Sequence, residues 1–107
     1  MSLVSQERLE QALIYLAETD EPAALAKAKV ESLKIYGKTV KAYGFLDMVG
    51  TVAEREAKSV TTDEYKEWMQ NLENAIMDSE QYTNKRSTEA GIREVWRSLN
   101  ANRRQGG

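Results

Sequence analysis

Apolar residues recur at helical spacing in three stretches of the chain. Leu9, Ala12, Leu13, Leu16 and Ala17 follow the i, i+3, i+4, i+7, i+8 pattern of one buried stripe, which predicts a helix over 5–18 with Ser5 as its N-cap. The run Thr19-Asp20-Glu21-Pro22 then reads as a stop and a restart, because proline suits a first turn and carboxylates there favour the helix dipole. A second helix is predicted over 21–59, bent near Gly50. In it Val30, Leu33, Gly37, Val40 and Gly44 recur at 3-4-3-4 spacing, a heptad-like seam in which glycines replace large knobs. Thr61-Thr62-Asp63-Glu64 matches a capping box and opens a third helix over 61–100, with a stripe of Tyr65, Trp68, Leu72, Ala75, Ser79 and Tyr82 that continues through Ile92, Trp96 and Leu99. Residues 101–107 are polar and are expected to form a flexible basic tail.

The expected fold class is therefore all-α. A short N-terminal helix precedes a long antiparallel helical hairpin, all in one domain. Leu, Ile, Val and Phe together make 21 of 107 residues, close to the lower limit for a globular core, so leftover apolar stripes should be covered by self-association in a coiled-coil-like bundle. A homo-oligomer is expected.

Chemistry narrows the picture mainly by what is missing. The chain has neither histidine nor cysteine, which removes the usual general base near neutral pH, ordinary zinc sites, disulfides and thiol chemistry. No phosphate-binding glycine loop occurs. The acidic set Glu54, Glu56, Asp63 and Glu64 is better read as helix caps and dipole partners than as a metal site. The expectation is a protein that is not an enzyme and needs no cofactor. No run of about 18 apolar residues and no basic start followed by an apolar stretch occurs, so no membrane association and a cytoplasmic location are expected.

Charge suggests a partner. Net charge is only −2, yet residues 27–41 hold five lysines against Glu31 alone, and 85–104 hold six basic residues against Glu89 and Glu94. In a hairpin turning near Val60, position 34 lies opposite about 87 and position 27 opposite about 94, so the two basic segments should meet as one end of the hairpin. Within the first of them the pattern Lys-x-Tyr-Gly occurs twice one heptad apart, as Lys34 to Gly37 and Lys41 to Gly44, with both glycines on one side and both Lys/Tyr pairs expected on the flank. Such an end attracts phosphates, and tyrosines beside it can stack bases for about 1–3 kcal/mol each. The candidate nucleic-acid contacts are Lys34, Lys38, Lys41, Lys85, Arg86, Arg93, Arg97, Arg103 and Arg104 for phosphates, with Tyr36 and Tyr43 for stacking. The competing reading for the tyrosines is packing. For Trp68 and Trp96, both on helical stripes, it is a core or interface role.

Two segments, Gly50 to Ala57 and Ile92 to Gly106, resemble parts of small helical proteins of tailed bacteriophages. The wider layout of lysine-bearing helix, turn region, tyrosine-containing helix and basic end is similar to the phage recombination mediators of the UvsY type. That resemblance implies a non-catalytic helical oligomer that binds single-stranded DNA in recombination or replication, in the cytoplasm of a bacterial host. The alternative is a protein-binding module, an inhibitor of a host factor or a structural phage component, docking through its apolar stripes and the acidic region around the turn.

Overall fold

The computed structural model describes the backbone of residues 3–106 and the side chains of residues 3–103. Among these residues all regular structure is helical: α1 spans Gln6–Asp47, α2 Val52–Ser59 and α3 Asp63–Gly106. Stretches of α1 pack against stretches of α3, as in a helical hairpin. Ser5 caps α1, its Oγ accepting from the Arg8 amide at 3.0 Å. The expected stop and restart at 19–22 does not occur, and Pro22 lies inside α1. Packing overrides the local signal here. Ala12, Ala26, Val30, Gly37, Val40 and Gly44 are all buried and fall on one heptad-spaced seam that passes Pro22, while Pro22 itself is exposed. The first stripe is narrower than its spacing suggested, since Ala12 is fully buried whereas Leu13 is exposed.

The expected second helix ends at Asp47. Gly50 takes φ of 130°, a conformation open to glycine, and the chain turns there into the separate helix α2. Thr51 caps α2 by accepting from the Glu54 amide at 3.2 Å. Arg55 of α2 then reaches back: its Nε donates at 3.1 Å to the Phe45 carbonyl, which also accepts from the Met48 amide at 3.3 Å, and its guanidinium lies 4.2 Å from the Phe45 ring centroid. The α3 cap is one residue later than predicted. Thr62 accepts from the Tyr65 amide at 3.1 Å, while the Thr61 hydroxyl donates to Lys58 O at 2.7 Å and finishes α2 instead. The helix α3 continues through Gly91 and on to Gly106, where a flexible tail from 101 was expected.

The residues cluster into two compact units, one of 25–79 and one of 1–24 with 80–107. In the central unit, 25–79, the indole of Trp68 lies on the bare backbone of Gly37, where an added Cβ would run into the ring. Its Nε1 donates to the Leu33 carbonyl at 2.7 Å, so the buried polar edge of the ring is satisfied by the helix it covers. Tyr65 packs beside it with ring centroids 5.3 Å apart. Gly44 gives a second close approach, its missing Cβ position lying 3.1 Å from the Ser59 carbonyl oxygen. The glycines of the repeated Lys-x-Tyr-Gly pattern are thus both contact points.

The terminal unit, 1–24 with 80–107, is held by arginines. Arg86 Nη1 donates to the Leu16 carbonyl at 2.8 Å and to Thr19 Oγ1 at 2.7 Å, and Nη2 lies 3.4 Å from Asp20. Thr19 passes the network on by donating to Tyr15 O at 2.7 Å. Arg8 Nη2 donates to Glu89 Oε1 at 2.9 Å; Nη1 is 2.7 Å from Oε2, a close ionic contact whose angle falls short of a hydrogen bond.

Candidate binding surfaces

The register between α1 and α3 decides where the charges go. Trp68 contacts Leu33 and Gly37, and Arg86 contacts Leu16 to Asp20, so residue 34 does not face residue 87 as the simple hairpin required. The short helix α2 takes up chain that a direct turn would have placed in α3. As a result Lys27 to Lys41 belong to the central unit with Asp63 to Asp78, and Lys85 to Arg104 belong to the terminal unit with Glu7 to Glu21. The central unit has eight basic residues against nine acidic and the terminal unit seven against eight, so each is close to neutral. The expected single basic end is replaced by two balanced units.

Individual cations follow the same division. Arg86 is committed to the fold, and Lys85 Nζ sits 4.6 Å from the Tyr15 ring centroid. Arg93 is half-buried, with its Nε 3.6 Å from Glu94, too long for a hydrogen bond. Arg97 is exposed and lies 3.5 Å from the same Glu94. Arg103 is exposed, and the side chain of Arg104 lies outside the described residues. Lys34, Lys38 and Lys41 are exposed, Lys34 meeting Glu31 at 3.5 Å. Burial pushes the Glu89 carboxyl up, but the hydrogen bond from Arg8 outweighs it and holds the group below its usual range, with Lys85 adding to the effect; Arg8 is raised in turn.

The Lys/Tyr flank also divides. Residues two apart on a helix are separated by about 200°, so Lys34 cannot share a face with Tyr36, nor Lys41 with Tyr43. Lys27, Lys34, Lys38 and Lys41 form one stripe within about 60° of arc, and the tyrosines lie on the other side of the Gly37–Gly44 seam. Tyr36, Val40, Tyr43, Gly44 and Asp47 instead line a cleft of about 270 Å³ with Thr62 and Glu64 from the start of α3. Both rings are exposed, Tyr36 at 56% and Tyr43 at 66%. Asp47, Thr62 and Glu64 were not anticipated. Asp47 was within reach of the pattern, one turn beyond Tyr43 on the same face, but Thr62 and Glu64 join only through the turn geometry.

A second groove, in the terminal unit, has a volume of about 420 Å³ and is lined by Leu9, Leu13, Trp96, Arg93, Arg97 and neighbouring residues. Among the described residues no acidic group of three or more is placed to hold a metal ion, and no helix is long and apolar enough to cross a membrane. No family model matches the chain, and neither a curated protein nor a solved structure matches it.

Proposed function

We propose that the chain is a non-catalytic helical protein-binding module whose first partner is itself. One observation carries this reading: among the described residues no large side chain is fully buried, while Leu3, Ile14, Leu25, Ile35, Leu46, Val49, Val52 and Met77 are all exposed. The accessible surface is 8002 Å² for 12.1 kDa, against about 6,000 Å² for a typical folded monomer of that mass. Large apolar side chains left exposed on so extended a surface are what self-association covers. Sedimentation over a wide protein concentration range tests the reading. Reversible association supports it, and a monomer at every concentration rejects it.

Single-stranded DNA binding by a phage accessory protein is the second reading, favoured by the stripe of Lys27, Lys34, Lys38 and Lys41 on one flank of α1. Fluorescence anisotropy of labelled single strands across salt tests it. Binding that weakens steeply with salt and is lost in a Lys34→Gln, Lys38→Gln, Lys41→Gln variant supports it; no binding at low salt rejects it.

A further inference from the structure

We propose that the cleft between Tyr36, Tyr43, Asp47 and Glu64 receives an arginine from α3 of a second copy of this chain, with Arg97 as the inserted side chain. This rests on the self-association reading and names its contact. The cleft offers two exposed rings two turns apart on α1, with Asp47 one turn further and Glu64 lining it from α3. Rings and carboxylates around one small cavity suit a planar cation, since guanidinium stacks on aromatic faces and pairs with carboxylate through two parallel hydrogen bonds. Among the described residues neither tyrosine has a ring or cation–π contact of its own: the ring contacts of the central unit use Tyr65 with Trp68 and Arg55 with Phe45.

The donor follows from which arginines the fold leaves available. Arg8 is paired with Glu89, Arg55 covers Phe45 and binds its carbonyl, and Arg86 holds the Leu16 turn. Arg93 is half-buried in its own groove. Among the described side chains Arg97 and Arg103 remain, both exposed and about 120° apart on α3, and Arg97 is the one beside the apolar groove of Leu9, Leu13 and Trp96. Its 3.5 Å contact with Glu94 is a solvent-exposed pair that is given up at little cost. The lysine stripe of α1 supplies point charges rather than a flat group and fits the stacking geometry less well. Each copy presents a cleft and an arginine, so the contact closes as a two-fold pair when the two are exchanged reciprocally and extends into a ring or an open chain when they are not.

Charge exchange tests this. Asp47→Arg with Glu64→Lys places cations in the cleft, and Arg97→Glu places an anion on the donor. Sedimentation of each variant alone should show association weakened at least about tenfold, the scale expected when like charges are apposed across an interface. Mixing the two variants should restore it, because each cleft again meets the opposite charge. Tyr36→Ala with Tyr43→Ala, confined to exposed rings, should weaken association without loss of helicity by circular dichroism. If the wild type associates but neither charge variant differs from it, or the mixture fails to recover, the proposed contact is wrong while self-association stands. If reversal at Lys34, Lys38 and Lys41 alone abolishes association, the donor is the lysine stripe and the proposal is overturned. A wild type that never associates removes both readings.

Discussion

The central and terminal units are cut from the same two long helices, yet they are held together by different physics. In the central unit a glycine removes volume so that Trp68 can lie on the α1 backbone, and the polar bond at that contact, from Nε1 to Leu33, is subordinate to the fit. In the terminal unit Arg86 and Arg8 reach across to carbonyls, a hydroxyl and carboxylates, and the apolar contribution is thin. A volume change should therefore damage one unit, and a charge change the other. The lesson is that a chain poor in large aliphatic residues stabilises a helix pair in two ways: close backbone approach at glycine, or long side chains that span the gap.

Substitutions can break the contrast, starting where the effect is largest. Trp68→Ala removes the half-buried indole and should cost about 3 kcal/mol in chemical denaturation, with hydrogen exchange accelerated mainly over 25–79. Arg86→Met keeps the stem but leaves the Leu16 carbonyl and Thr19 without their charged donor. A loss of about 2 kcal/mol is expected, with faster exchange confined mainly to the terminal unit. Gly37→Ala forces a methyl into the Trp68 ring. Overpacking of about 1–3 kcal/mol, offset by about 1 kcal/mol of helix propensity, gives a net loss near 1 kcal/mol. The same substitution at Gly91, where an added Cβ meets nothing within 4 Å, should instead raise the melting temperature through about 0.5–1 kcal/mol of propensity. Opposite signs at 37 and 91 would sharpen the comparison, and equal signs would break it.

The smallest effect is one of pH. The Glu89 carboxyl lies below its ordinary value of 4.5 in the fold, so its contribution is present above that value and is lost as pH falls through the lower folded one. Acid titration followed by hydrogen exchange should show the terminal unit loosening below about pH 4.5, ahead of the region around Trp68. Glu89→Gln should flatten that response.

Much of the fold was legible because helix periodicity survives in single stretches. The heptad-like seam of Val30, Leu33, Gly37, Val40 and Gly44 and the Ser5 cap both read directly from spacing and chemistry. The continuity of α1 through Pro22 did not, because proline's local preference was outweighed by a packing seam that continues on both sides of it. The helix α2 was hidden by its length: eight residues carry too little periodicity to separate them from the helix before. That omission propagated to the site. Without α2 the two lysine and arginine segments align, and with it each faces acidic residues instead. The Tyr36, Tyr43 and Asp47 stripe was readable from 3.6 periodicity. Pairing each tyrosine with the lysine two residues before it was not sound geometry, since those side chains leave the helix on opposite flanks.

The space shared by positions 37 and 68 has an evolutionary consequence. Residue 37 can enlarge only where residue 68 shrinks, so across related chains the two should change together, although 31 residues separate them. A Gly37→Ala chain carrying Trp68→Phe would be the laboratory form of that covariation, with the second substitution recovering part of what the first one loses.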